Sequence, residues 1–170
     1  MQKLKLLISE ERLKARVAEL AKEITQNDRI DVVVGALTGA FVFVADLVRE
    51  MGTEGLDVQF VRASSYGNGT ERSGFVVKGI ERLDVKGKNV LLVDDIFDTG
   101  HTLQNLSKAI AECGAACVKT CALLDKPSRR EVDFKADYIG FRIENLFVVG
   151  YGLDYAERFR ALREISVIVE

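Results

Sequence analysis

The chain has 170 residues, 48% of them hydrophobic, with 24 basic and 26 acidic side chains. This length and composition predict a single domain over 1–170 and exclude a disordered chain. The net charge of −2 argues against broad binding to nucleic acid, and no apolar run reaches the ~20 residues that a membrane span needs. We therefore expect a cytoplasmic protein that binds neither nucleic acid nor membranes.

Apolar periodicity predicts strands that alternate with helices. The first predicted helix covers 9–26, with Ser9 as its cap and acidic residues in its first turn. There follow a strand at 30–37, a helix at 39–51 closed by Gly52, a strand at 56–64, an apolar segment at 75–80, a strand at 88–96, a helix from about 99 to 111, a strand at 117–126, and short strands near 137–141 and 146–151. This alternation is typical of an α/β fold, in which ligands bind at the carboxyl ends of parallel strands.

The three cysteines, Cys113, Cys117 and Cys121, are spaced four residues apart. A helix that ends near 113 and a strand that begins near 117 would separate them. We therefore expect reduced cysteines that pack in the core. The chain has one histidine and no CxxC or HExxH motif, so nothing supports a transition-metal site.

The segment VLLVDDIFDTGHTL places acidic residues at the end of a buried strand. Asp94 and Asp95 follow the apolar run, and Asp98 precedes a Gly/Thr-rich helix start. Backbone N–H groups at a helix start bind phosphate, whereas nearby carboxylates suit sugar hydroxyls or a hydrated Mg²⁺. The pattern indicates a site for a phosphorylated ribose. The alternative is a strand that ends in solvated acids, with Asp98 as a helix N-cap.

The same segment resembles the ribose-diphosphate signature of type I phosphoribosyltransferases. The resemblance continues through LTGAFVFVADLV, SSYGNGT, LLDKPSRREVDFKADYIGF and FVVGYGLDYAERFR, and it points to the hypoxanthine (hypoxanthine–guanine) phosphoribosyltransferases. It implies the type I phosphoribosyltransferase fold, a central parallel sheet flanked by helices, with a small hood from about 1–10 and 140–170. It also implies transfer of the 5-phosphoribosyl group from PRPP to hypoxanthine or guanine, Mg²⁺ as cofactor, and a homodimer or homotetramer.

The resemblance assigns the acidic strand end to PRPP. Asp94 and Asp95 would hold the ribose hydroxyls and one Mg²⁺, and Asp98 would be the general acid/base at purine N7. The 5-phosphate would bind to the segment Asp98, Thr99, Gly100, His101 and Thr102. The family usually has Glu at position 94, so this carboxylate is one methylene shorter. Position 101 varies in the family, and we favour a solvent-facing His101.

The resemblance also assigns the purine and pyrophosphate contacts. Lys126 would donate to the purine O6, Phe147 would stack on the base, and the Val148 backbone would read its edge. Asp154 belongs to this set and would bind a second Mg²⁺ on the pyrophosphate. The pyrophosphate contacts would be Leu37, Thr38, Gly39, Ser65, Tyr66 and Arg160. The family usually has Lys at position 38, which makes Thr38 the largest departure. The polar segment 64–74 would be a lid that closes over the site.

Each assignment has a structural alternative. Lys126 could be a surface lysine, Phe147 a core aromatic, Asp154 a turn residue and 64–74 a hairpin loop. Arg129 and Arg130 are expected to form a solvated loop face without a role.

Other functions share parts of the pattern. A signalling receiver domain has its acidic pair on the first strand, and an RNA-binding relative of the same fold would carry a basic face. A phosphoribosyltransferase for another base is the main remaining alternative. A P-loop is absent from the sequence, and 67–72 lacks the third glycine of a dinucleotide fingerprint.

Overall fold

A six-stranded sheet forms the centre of the protein in a computed structural model, which describes residues 3–66 and 74–169. The elements are β1 (Lys3–Ile8), α1 (Glu10–Asn27), β2 (Val32–Leu37), α2 (Phe41–Met51), β3 (Asp57–Tyr66), β4 (Gly74–Lys78), β5 (Asn89–Phe97), α3 (His101–Glu112), β6 (Cys117–Asp125), β7 (Tyr138–Arg142), β8 (Val148–Val149) and β9 (Ile165–Val169). Short 3₁₀ turns lie at Ile80–Arg82 and Pro127–Arg129.

The central sheet has the strand order β4-β3-β2-β5-β6-β7, and only the β3–β4 pair is antiparallel. Helices α1 and α2 cover one face and α3 covers the other. Because both faces are covered, the valines and leucines at 32–34 of β2 and 90–93 of β5 are fully buried, as continuous hydrophobic strands require. The predicted α/β class and parallel sheet are confirmed.

The first helix forms as its sequence predicts. The Ser9 hydroxyl accepts a hydrogen bond from the Arg12 N–H at 3.3 Å, which caps the helix. The apolar stripe Leu13, Val17, Leu20 and Ile24 is buried against the sheet and α2.

The two chain ends form a second sheet in the order β1-β9-β8. Both pairings are antiparallel, and Lys3 lies opposite Val169. This sheet is the expected hood, although β1 and β9 themselves were not predicted as strands. Four of the six residues of β1 are exposed, Leu4 and Leu6 among them, so this strand contributes little to the core beyond Ile8.

The cysteines follow the expectation only in part. Cys121 is fully buried, and burial raises the pKa of its thiol. Cys117 is exposed, so core packing is wrong for it, because β6 becomes buried only beyond its first three residues. Cys113 is half-buried, and all three are free. Within residues 3–66 and 74–169, no helix has the length and hydropathy to span a bilayer.

Candidate functional site

The sheet brings three of the predicted segments together at one edge. Strands β2, β5 and β6 are neighbours and parallel, so their carboxyl ends deliver 37–39, 94–98 and 125–126 to the same side. A backbone hydrogen bond from Lys126 N–H to the Phe97 carbonyl, 2.9 Å long, joins two of these ends directly. The site is therefore an arrangement of strand ends, as expected for an α/β fold.

The acidic residues are held by their own backbone. A carboxylate oxygen of Asp94 accepts from the Asp95 N–H at 2.9 Å, and Asp98 accepts from the Thr99 N–H at 2.7 Å. Burial, and then repulsion from Asp95, raise the pKa of Asp94 well above its ordinary value. Burial also raises the pKa of Asp95. Hydroxyl donors or a cation beside this pair would relieve the cost of its buried charge.

The helix start next to these acids is open to an anion. A cavity of about 220 Å³ is lined by 94–98 with Gly100, Thr102 and Leu103. Helix α3 begins after Gly100, whose φ of 91° suits glycine, and no side chain caps its first turn. The N-cap interpretation of Asp98 is wrong, because its carboxylate binds the Thr99 N–H, ahead of the helix. The first-turn N–H groups of α3 thus remain available to a phosphate.

His101 and Thr99 lie at the margin of this cavity, and neither lines it. The His101 ring is exposed, and its Nε2 lies 2.9 Å from the Glu131 carboxylate. This agrees with the solvent-facing interpretation of His101. The Thr99 carbonyl accepts a hydrogen bond from the Glu131 N–H at 2.9 Å.

The predicted pyrophosphate loop, 37–39, packs between Asp95 on one side and Gly152 on the other. The Leu37–Thr38 peptide is cis. A Cβ added at Gly39 would overlap the Asp95 carboxylate, and one added at Gly152 would come within 2.6 Å of the Gly39 carbonyl oxygen. Only glycine fits either contact. A guanidinium nitrogen of Arg62, Nη2, donates to the Thr38 hydroxyl at 2.9 Å, so a cation still reaches the loop that lacks the usual lysine.

Arg160 and Asp154 meet on the hood side of this loop. Arg160 donates to the Gly152 carbonyl at 2.9 Å and lies 3.1 Å from the Asp154 carboxylate. The other oxygen of Asp154 accepts from the Glu157 N–H at 2.8 Å, which is the turn role considered for it. A metal at Asp154 would share that carboxylate with Arg160.

The predicted purine contacts also come together. Lys126 is buried, and its Nζ donates to the Leu146 carbonyl at 2.7 Å, so the surface interpretation is wrong. Burial lowers the pKa of Lys126, and the charge of Asp98 opposes this. Phe147 is 56% exposed and packs edge-on against Tyr155, so it is not a core aromatic, whereas Val148 is buried in β8.

Arg130 is the residue that sequence analysis missed. Arg129 is exposed as expected, but Arg130 is only 20% exposed and forms an ion pair with buried Asp125. It also donates to the Asp98 carbonyl. An acidic residue inside the apolar run ALLD was the available signal, because a buried carboxylate needs a partner.

The predicted lid at 64–74 lies only partly within the described residues. Ser65 and Tyr66 end β3, and 67–73 of the predicted lid lie outside the described residues.

Asp94, Asp95 and Asp154 do not form one cluster, and across the described parts of the chain no three metal-ligating side chains converge. Mg²⁺ needs only one or two carboxylates when substrate phosphates complete its shell, and the Asp94–Asp95 pair fits that demand.

Comparison with known proteins agrees with this geometry. Residues 7–156 match the family model of the phosphoribosyl transferase domain. The chain is 47% identical to the hypoxanthine-guanine phosphoribosyltransferase of Aquifex aeolicus, over 98% of this chain and 96% of that protein. The crystal structure of a hypoxanthine-guanine phosphoribosyltransferase from Bacillus anthracis aligns with a TM-score of 0.88 and 41% identity, covering 98% of this chain and 100% of that one. A structure of Trypanosoma cruzi hypoxanthine phosphoribosyl transferase aligns with a TM-score of 0.87 and 36% identity, covering 97% and 91%.

Proposed function

The chain belongs to the hypoxanthine-guanine phosphoribosyltransferase family and is a purine-salvage enzyme that transfers a phosphoribosyl group, and we propose that it uses PRPP and a 6-oxopurine with Asp98 as general acid/base. One observation carries the proposal. The acidic segment 94–98 would serve the ribose and the N7 proton, whereas Lys126 would bind the purine O6. The backbone hydrogen bond from the Lys126 N–H to the Phe97 carbonyl joins them at one sheet edge.

The proposed reaction joins a purine ring nitrogen to the ribose C1 while pyrophosphate leaves. Positive charge develops on the sugar and negative charge on the leaving group. Asp98 would exchange the N7 proton, using the carboxylate oxygen that does not bind the Thr99 N–H. Lys126 would donate a hydrogen bond to the purine O6, and a 6-aminopurine has no oxygen there to accept it. Phe147 would stack on the purine ring.

The phosphate groups would bind at two places. The 5-phosphate would take the open N–H groups at the start of α3 and the Thr102 hydroxyl. Pyrophosphate would contact the backbone of 37–39 and the cation of Arg160, while Ser65, Tyr66 and the segment 64–74 would close over it and exclude water. The nearby Arg62 would supply the positive charge that Thr38 lacks.

A bound Mg²⁺ would neutralise charge on PRPP and the departing pyrophosphate. Asp94 and Asp95 would hold it together with substrate oxygens, and their raised pKa values support a site that prefers a cation beside it. At Asp154 a second ion would have to displace or share Arg160.

Self-association belongs to the same proposal. Val58 and Phe60 are exposed on one face of β3, with Val76 on the same face of β4 and Phe41 on neighbouring α2. A second copy of this chain would cover these apolar side chains, as a homodimer or homotetramer requires. The Trypanosoma cruzi relative was studied for the role of its C-terminal region in oligomeric state and activity.

Three free cysteines support a reducing, cytoplasmic location.

The deciding experiment measures pyrophosphate release from PRPP and Mg²⁺ with hypoxanthine, guanine, xanthine, adenine and uracil, each supplied separately. Release confined to the 6-oxopurines is the expected result and ranks the natural substrates. Release with adenine or uracil would contradict the role of Lys126. No release with any base would overturn the proposed substrates, and RNA binding would then be tested.

A further inference from the structure

We propose that Arg130 is a positioning residue for Asp98, holding the loop that carries the general acid/base against the segment that carries the purine-binding lysine. This inference rests on the proposed function, because it takes Asp98 as the proton-exchanging group. It concerns a residue that does not touch substrate and acts through the backbone of another.

The contacts of Arg130 converge on one short stretch of main chain. Its Nε donates to the Asp98 carbonyl at 2.9 Å, and its Nη2 donates to the Phe97 carbonyl at 3.3 Å. The guanidinium also stacks on the Phe97 ring, with its central carbon 3.2 Å from the ring centroid. The guanidinium therefore fixes the carbonyls of Phe97 and Asp98 and the ring of Phe97, which lie on either side of the Asp98 carboxylate along the chain.

The guanidinium is itself anchored to the sheet. It pairs with Asp125, which is 5% exposed and ends β6 directly opposite Phe97 in the strand register. A buried ion pair costs desolvation, which only good geometry and further hydrogen bonds offset. The guanidinium meets that demand because its N–H donors are spread over a rigid plane and reach Asp98, Phe97 and Asp125 at the same time. A lysine has all its donors on one nitrogen and could not span these three partners.

The two segments meet at further points. The Glu131 N–H donates to the Thr99 carbonyl at 2.9 Å, next to the bond from the Lys126 N–H to the Phe97 carbonyl. A Cβ added at Gly100 would come within 3.1 Å of the Arg130 side chain and 2.6 Å of Val132. The loop 97–100 thus rests on 126–132 along its whole length, with Arg130 at the centre.

This arrangement matters for catalysis because proton transfer is sensitive to position. The Asp98 carboxylate has one hydrogen bond within its own loop, to the Thr99 N–H, so its placement depends on where the backbone lies. A displacement of about 1 Å can cost 10²-fold in rate. Loosening Arg130 should therefore lower kcat while leaving the phosphate-binding N–H groups and the KM for PRPP nearly as they were.

The test compares Arg130→Lys with Arg129→Lys, the same substitution at the exposed neighbouring arginine. We expect kcat to fall about 10- to 100-fold in Arg130→Lys, with the KM for PRPP changed less than about threefold, and no change in Arg129→Lys. Equal kcat in the two variants, with an active wild type, would overturn the inference alone. An inactive wild type would overturn the proposed function first, and the inference with it.

A second comparison separates positioning from a general structural effect. In an Asp98→Asn background the additional effect of Arg130→Lys on kcat should vanish, because the group being positioned is already disabled. A kcat loss of the same factor in both backgrounds would show that Arg130 acts elsewhere and would overturn the inference. Should Arg130→Lys not fold, Asp125→Asn loosens the same guanidinium from the sheet and should lower kcat in the same way, again only when Asp98 is intact.

Discussion

Gly39 of the loop after β2 lies directly against the carboxylate of Asp95, so closely that a Cβ at position 39 would overlap it. The contact couples the proposed pyrophosphate loop to the proposed ribose and Mg²⁺ ligands. Since Gly152 packs on the other side of the Gly39 backbone, the loop has no room to move away. This one residue therefore sets the spacing between three parts of the site.

Gly39→Ala should displace Asp95 and reduce kcat/KM for PRPP by about 10- to 100-fold, at a stability cost of about 1–3 kcal/mol from overpacking. Steady-state kinetics and denaturant unfolding measure the two effects. Gly55→Ala is the control, because position 55 has open space around it but a φ of 78° that costs backbone strain. Lost stability with unchanged PRPP use in both variants would contradict the coupling.

Asp94→Asn should raise stability at neutral pH while lowering turnover. The pKa of Asp94 is raised in the folded protein by burial first and by Asp95 next, so the penalty is fully present above the folded pKa. The folded state takes up protons as pH falls toward the ordinary value of 3.8, which relieves that penalty and raises stability. The gain from Asp94→Asn should therefore be largest at pH 7–8 and should shrink on acidification.

Thermal unfolding in metal-free buffer across that pH range measures the effect, and each kcal/mol should appear as roughly 2–4 °C in Tm. The amide oxygen of Asn can still accept from the Asp95 N–H, so the loop conformation is retained. A lower Tm for the variant at pH 8 would show that Asp94 contributes to folding as a charged group.

Lys126→Met should lower kcat/KM for hypoxanthine by about 10- to 150-fold, because a hydrogen bond from a charged group to O6 contributes about 1.5–3 kcal/mol. The substitution should also reduce the ratio of kcat/KM for hypoxanthine to kcat/KM for adenine. Kinetics with both bases measure this, with Lys135→Met at an exposed lysine as the control. Equal losses for both bases would indicate that Lys126 only supports the Leu146 carbonyl.

Asp98→Asn should reduce kcat by about 10²- to 10⁴-fold and change the Kd of PRPP far less. Asn retains an oxygen for the Thr99 N–H, so the variant removes the proton exchange and little else. Pre-steady-state turnover and direct PRPP titration separate the two quantities. Parallel losses in both would leave Asp98 with a structural role only.

Local patterns in the sequence predicted much of this molecule. The strand β5 and helix α3 enclose the acidic segment 94–98 because an apolar run, adjacent carboxylates and a Gly/Thr helix start are contiguous. The apolar stripe of α1 was equally visible. By contrast, β1 and β9 escaped prediction, since Lys3 pairs with Val169 at the opposite end of the chain and neither segment shows by itself which distant segment it pairs with.

The sequence by itself determined the order of the core elements, the family and the carboxylate-rich strand end that precedes α3, because each of these depends on residues that are neighbours along the chain. Only the tertiary structure decided which of two adjacent arginines turns its side chain into the fold. Arg130 turns toward Asp125 and the Asp98 carbonyl while Arg129 faces solvent, a choice that depends on the ends of β5 and β6, Phe97 and Asp125, meeting at one sheet edge. Burial, partner geometry and long-range pairing are properties of the folded chain, and the positions of Arg130, Lys126 and Gly39 follow from them.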